Sequence, residues 1–243
     1  MVQVRPKTEI VYPESDGQPM ANNTVQFEWI VALKQNLDRL TLPDTEIFVA
    51  GDLFWYPVEG QATICVAPDV LVAIGRPKGQ RGSYQQWRED NIAPQVVFEI
   101  ISPSNTAQEM AKKVRFFQTY GVQEYYVYDP EHNTFDVYQR DGDRLVGGSA
   151  PDEWVSPLLG IKFLRSPETL TVCHPNGEPF TTYQEECDQA EQERVRAEQE
   201  RVRAAQERER ADQAQAQAQR ERDRAEKLAA KLRELGMDPD ALD

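Results

Sequence analysis

The sequence predicts a mixed α/β domain followed by one long helix. Short apolar strand runs interleaved with two helical apolar stripes predict the domain. An unbroken stretch of helix formers repeating in sevens predicts the helix. Composition changes abruptly at Tyr183: residues 184–243 hold no aromatic side chain and almost no large apolar one before Leu228. They cannot share the core of residues 1–183, so the chain reads as a domain over 1–183 and a charged heptad-repeat helical tail over 184–243.

The elements follow in order. Asn22 or Asn23 can cap a first helix reaching about Leu40, with Val25, Trp29, Leu33 and Leu37 as its apolar stripe. EIFVAGDLFWYP (46–57) and PDVLVAIG (68–75) read as strands, and VVFEIIS (96–102) is a nearly continuous apolar run. Asn105 or Thr106 starts a second helix that ends near Tyr120 at Gly121. EYYVYDP (124–130) and TFDVYQRDG (134–142) resemble a hairpin, with Asp129 before Pro130 in its turn. PLLGIKF (157–163) suits a segment packed on the sheet edge.

In the tail, AEQERVR begins at Ala190 and again at Ala197, and AAQERER follows at Ala204. Glu193 faces Arg196, Arg194 faces Glu198 and Arg196 faces Glu200 at helical spacing. A coiled-coil seam wants two large apolar positions per heptad, and most heptads here offer only Ala. A solvated single helix and a weakly self-associating one, or one that binds another helix, are equally compatible with the repeat. Gly236 and then Pro239 supply the stop.

Composition bounds the chemistry. No run approaches the ~18 apolar residues of a membrane span, and the N-terminus lacks the apolar core of a signal peptide. Cys65, Cys173 and Cys187 are scattered, so neither a zinc site nor a disulfide framework is suggested, and a cytoplasmic setting fits. The net charge of −14 argues against broad electrostatic capture of nucleic acid. It leaves room for a local basic surface, or for a metal that offsets acidic groups.

The informative residue is Glu99, a carboxylate inside Val96–Val97–Phe98–Glu99–Ile100–Ile101. Such a strand is usually buried on both faces. A buried unpaired carboxylate costs several kcal/mol, as an order of magnitude, so it should be paired or bound to metal. A Glu at the strand's end, salt-bridged to a surface cation, is an equal alternative for that residue alone. Asp69 opens the second apolar strand after Pro68, where it could equally be a turn residue. Two carboxylates on neighbouring strands can share a hard divalent cation, which polarises a phosphoryl oxygen and activates water.

Pro68–Asp69 followed by the strand VVFEIISPSN (96–105) resembles the PD-(D/E)XK nuclease superfamily. More closely, PDVLVAIGRPKGQRGSYQQW, IAPQVVFEIISPSN and KKVRFFQTYGVQEYYVYDP are similar to the Uma-type restriction endonucleases common in cyanobacteria. The ending AEKLAAKLRELGMDPD also looks like that family's. The resemblance implies a restriction-endonuclease-like mixed sheet flanked by helices, a Mg²⁺ or Mn²⁺ cofactor and a DNA substrate. It implies that Asp69 and Glu99 hold the metal, with the Ile100 carbonyl as a third ligand. The general motif places lysine two residues after the acid, where this chain has Ile101. The closer family carries it on the following helix, and Lys113 matches that position; Lys112 points about 100° away.

Other candidates are secondary. Glu28 on the first helix could add a ligand or simply be solvated, and Ser102 could bond to the site or cap the second helix. Arg76, Lys78, Arg81 and Arg88, with Tyr84 and Trp87, form a basic–aromatic cluster that could hold phosphates and stack a base, or be a surface flap. Tyr125, Tyr126 and Tyr128 read as packing. GRPKGQRG (75–82) lacks the GK[ST] of a P-loop, His132 and His174 lack metal-ligand spacing, and no GxSxG is present. Two function classes result. One is a metal-dependent endonuclease, for which homodimerisation would suit cutting both strands. The other is an inactive nuclease-fold scaffold acting through its tail.

Overall fold

The structure is a computed structural model, and it describes residues 10–15, 17 and 21–234. In chain order the first half comprises α1 (Thr24–Leu40), β1 (Ile47–Gly51), β2 (Trp55–Tyr56), β3 (Val70–Ile74), β4 (Tyr84–Gln85), β5 (Val96–Ile100) and α2 (Ala107–Tyr120). Then come β6 (Glu124–Asp129), β7 (Thr134–Asp141), β8 (Arg144–Ser149), β9 (Glu153–Val155), β10 (Lys162–Arg165), β11 (Leu170–Cys173) and α3 (Tyr183–Glu234). Six strands form the central mixed sheet in the order β1-β3-β5-β6-β7-β8. Its one parallel pairing is β5 with β6, the two strands that α2 connects.

Both sheet faces are covered, which is why β5 is apolar without alternation. On one face α1 contributes Ile30, Leu33 and Leu37, and the three-stranded sheet β11-β10-β9 contributes Phe163, Leu170 and Val172, all packed with Phe98 and Tyr126. On the other face α2 brings Phe117 against Leu71, Val97 and Tyr125, beside Trp55 of the β2–β4 pair. The helices start as their sequences dictate. Asn23 accepts a hydrogen bond from the Gln26 amide at the start of α1. Thr106 and Glu109 close a capping box on α2, which ends on Gly121 in the left-handed conformation.

Three expectations need correction. Residues 46–57 are two strands in different sheets, broken at Asp52, whose φ of +46° is tolerated by aspartate better than by most residues. The buried side of α1 runs through Gln26, Ile30, Leu33 and Leu37, whereas Val25 is exposed. Its first turn contacts the end of β5 rather than the apolar core, so a polar residue takes the inward position. The 157–163 segment does not lie on a sheet edge: it leads into β10, whose Phe163 packs, ring tilted, against Phe98, Tyr126 and Phe135.

Strand β8 has no clear sequence signal because Gly147 and Gly148 interrupt it. Gly147 is needed there, since a Cβ would lie 1.8 Å from the Val137 carbonyl oxygen. Glu124, a second carboxylate buried in the sheet, is satisfied by Tyr126 Oη (2.7 Å), Ser156 Oγ (2.5 Å) and the Leu158 amide (2.8 Å). It therefore ties β6 to the 156–158 turn.

The chain divides into two compact units, residues 1–183 and 184–243. The described part of the tail lies in one 52-residue helix, Tyr183–Glu234, with side chains exposed along nearly all of it. Arg194 forms its ion pair with Glu191 (2.9 Å), one turn back, rather than with Glu198. The expected stop at Gly236 and Pro239 lies outside the described residues. Among the described residues no helix is long and apolar enough to cross a membrane.

Candidate active site

The site is built where β3 begins and β5 ends. Val70 stands opposite Phe98 in the antiparallel pair, so one step further Asp69 stands opposite Glu99 and their side chains share a face. Phe98 and Ile100 belong to the α1-side core, and Val97 to the α2-side core. Alternation therefore turns Glu99, and with it Asp69, toward α2. The two carboxyl groups are 3% and 9% exposed as residues.

Each carboxylate has a defined partner. Asp69 Oδ2 accepts the Ile100 amide at 2.6 Å, and Asp69's own carbonyl accepts the Asp52 amide at 3.1 Å. Lys113 Nζ, on the second turn of α2, donates to Glu99 Oε2 at 2.5 Å. The other oxygen, Glu99 Oε1, is buried with no hydrogen-bond partner among the described residues. A buried carboxylate oxygen left this way costs free energy unless something electropositive faces it.

The electrostatics follow from burial. Desolvation pushes Glu99 up to about 8, with Lys113 opposing and Asp69 and Asp52 adding to the rise. Desolvation also pushes Asp69 up to about 6, offset in part by Lys113, the Ile100 amide and Gln26 and reinforced by Asp52. Burial disfavours the charge on Lys113, but Glu99 and Asp69 more than compensate and hold it above its ordinary value.

Both carboxyls bind protons more tightly folded than unfolded. The stability they contribute is therefore present below pH about 4 and is lost as pH rises to about 8. Metal-free Asp69→Asn should be more stable than the parent at pH 8 by roughly 1–3 kcal/mol, and equal to it near pH 4. Urea unfolding at the two pH values checks this; a variant less stable at both would contradict it.

Among the described residues, no group of three or more His, Cys, Asp or Glu side chains is placed to hold a metal ion. The available donors are thus the two carboxylates and main-chain oxygen. The Ile100 carbonyl adjoins them and accepts Gln26 Nε2 at 2.8 Å, which uses one of its two lone pairs. This all-oxygen set, with the unpartnered Glu99 Oε1, fits a hard divalent cation.

The structure thus brings Asp69, Glu99, Ile100 and Lys113 together. It does not bring Glu28, which is exposed and lines a groove with Trp29, Ala32 and Val172. The α1 residue that reaches the site is Gln26, two positions away and so on the other side of the helix. Ser102 bonds to neighbouring loops: its amide donates to Asn105 Oδ1, and its hydroxyl accepts from Asn22.

The basic cluster is largely engaged within the protein. Arg76 pairs with Glu89 (2.9 Å) and Asp90. Arg81 pairs with Glu89 (2.7 Å) and lies 3.9 Å over the Phe48 ring. Lys78 donates to Thr41 Oγ1 at 3.0 Å, whereas Arg88 is exposed. Tyr84 is buried, and Trp87 packs on Tyr12. Sequence reading passed over Gln26, Asp52 and Glu89. The signals were a polar residue in the apolar frame of α1, an Asp-Leu break between strands, and two acids beside the arginines.

Two carboxylates and a lysine thus meet at the strand ends of a helix-flanked mixed sheet. Residues 11–172 match the family model Uma2, described as "Putative restriction endonuclease", and the chain belongs to that family. Among solved structures it is similar to a protein described as a putative nuclease belonging to DUF820 from Anabaena variabilis. That likeness has 17% identity and a TM-score of 0.41, and covers 56% of this chain and 72% of the other. None of the curated proteins compared matches the chain.

Proposed function

We propose that the protein is a Mg²⁺- or Mn²⁺-dependent endonuclease that hydrolyses phosphodiester bonds in DNA. The observation that carries this reading is the Asp69–Glu99 pair, with Lys113 on one Glu99 oxygen and the other oxygen buried and unpartnered. Family membership supports a nucleic-acid substrate. Asp69, Glu99 and the Ile100 carbonyl would hold the cation. When bound, it supplies a Lewis acid that polarises a phosphoryl oxygen and lowers the pKa of water.

The chain's own residues do the rest. The Ile100 amide fixes the Asp69 carboxylate, and Lys113 fixes Glu99. Lys113 also keeps a positive charge beside the reacting phosphate, where it can orient water and offset developing negative charge. Both carboxyls must lose their protons to act as ligands, so cation binding should strengthen as pH rises through the range from about 6 to about 8.

The test is nicking of supercoiled plasmid with Mn²⁺, comparing the parent chain with Asp69→Ala. The parent should nick, and the variant should be slower by at least about 10²-fold. Equal nicking by both, or none by the parent across metals and substrates, would remove the reading. A second reading then applies, a nuclease-fold scaffold acting through its tail. The net charge of −14, the internally paired Arg76 and Arg81, and the exposed 52-residue helix favour it.

A further inference from the structure

We infer that Gln26 is a positioning residue that holds the Ile100 carbonyl in place, beside the Asp69 carboxylate, for a shared cation. The inference rests on the metal-dependent reading of the same site and adds a member to it.

Gln26 lies in the first turn of α1 at the inward position that helical packing ordinarily gives to an apolar side chain, and it is 5% exposed. An amide in that place needs its hydrogen bonds met, and the ones it makes are specific. Its Nε2 donates to the Ile100 carbonyl at 2.8 Å. Its Oε1 accepts the Asn22 amide at 2.8 Å, which fixes the amide's orientation. One planar group thus holds one of the three oxygen donors, from an element separate from the strand that carries it.

The arrangement is closed from the other side by the Ile100 amide, which donates to Asp69 Oδ2 at 2.6 Å. Residue 100 is therefore held twice, through its amide by Asp69 and through its carbonyl by Gln26. A neutral amide does this without adding charge to a site that already holds Asp52, Asp69 and Glu99 against Lys113. A methylene side chain of the same length would fill the space and leave the Ile100 carbonyl without the donor that orients it. Partners of metal ligands that act this way commonly change metal affinity by about 10–100-fold when removed.

The experiment titrates Mn²⁺ into metal-free full-length protein and reads unbound Mn²⁺ by electron paramagnetic resonance. Gln26→Met should weaken Mn²⁺ binding by about 10–100-fold. Asn22→Ala, which loosens the same loop by removing the contacts to Ser102 and Ser104 but keeps the backbone amide on Gln26, should leave the affinity unchanged. If the methionine variant does not fold, Gln26→Asn keeps the amide but withdraws it by one carbon–carbon bond, and the same weakening is expected. Unchanged affinity in a folded Gln26 variant overturns the inference. Equal weakening in Asn22→Ala also overturns it, because the effect then belongs to the loop. Absence of Mn²⁺ binding by the parent chain removes the metal-dependent reading itself, and is distinguishable because no variant is needed to see it.

Discussion

Glu99→Gln is expected to reduce Mn²⁺-dependent plasmid cleavage to background, with Mn²⁺ affinity falling in parallel. Glutamine is nearly isosteric, so Lys113 keeps an oxygen to donate to and the strand keeps its packing. What is lost is the anionic oxygen that has no partner in the metal-free protein. The replacement also removes a group that burial holds at about 8. Its ionisation on unfolding favours the unfolded chain increasingly as pH rises from about 4.5 to about 8, so the variant should be more stable than the parent near pH 8. The gain should be on the order of 1–3 kcal/mol, reduced by the charge left on Lys113 without its counter-ion. Cleavage assays with thermal unfolding at pH 5 and pH 8 read both effects. Loss of activity together with lower stability at pH 8 would mean that Glu99 is a structural ion-pair partner and not a ligand held at a cost.

Lys113→Met should slow cleavage by about 10²–10³-fold, the usual consequence of removing one positioned cationic or hydrogen-bond donor from a reacting centre. The stability change should depend strongly on pH. Removing one partner of a buried ion pair ordinarily costs about 3–5 kcal/mol, because the other charge is left stranded. Glu99 avoids that cost by holding a proton, and without Lys113 its tendency to do so increases. Urea unfolding at pH 6 should therefore show a loss of only about 1 kcal/mol, rising above pH 8 toward the full cost. A large loss already at pH 6 would show that Glu99 is ionised there and that Lys113 serves mainly as its counter-charge.

Both variants probe a site whose members were unequally legible in the linear chain. Glu99 announced itself, because a carboxylate between Phe98 and Ile100 in an apolar run has few physical explanations. Asp69 had a plausible position after Pro68, but a turn residue would look the same. Lys113 had no physical signal, since helix lysines are ordinarily solvated, and only the resemblance to Uma-type nucleases singled it out. In the sequence Gln26 is less conspicuous than Glu28, because a carboxylate looks more like a ligand than an amide does. The difference of two residues on a helix decides which side faces the sheet.

The basic cluster failed in a different way. Four cations in one loop suggest a phosphate cradle, yet Glu89 and Asp90 lie within hydrogen-bond reach of Arg76 and Arg81 once the loop folds. Local composition counts the charges without saying which of them meet.

What the chain determined by itself was the kind of structure and the presence of the two acids. Helix caps at Asn23 and Thr106, the left-handed stop at Gly121, the apolar strands and the self-contained tail all follow from short-range preferences and composition. Only the tertiary structure decided that these acids meet. A strand buried on both faces has no sequence alternation to say where Glu99 points. The β3–β5 register sets Asp69 opposite it, and α2, crossing between the parallel β5 and β6, lays Lys113 against it from fourteen residues away. Gln26 arrives from a helix 74 residues before Ile100. Those meetings depend on strand pairing and helix packing over long separations, for which the residues concerned carry no local signal.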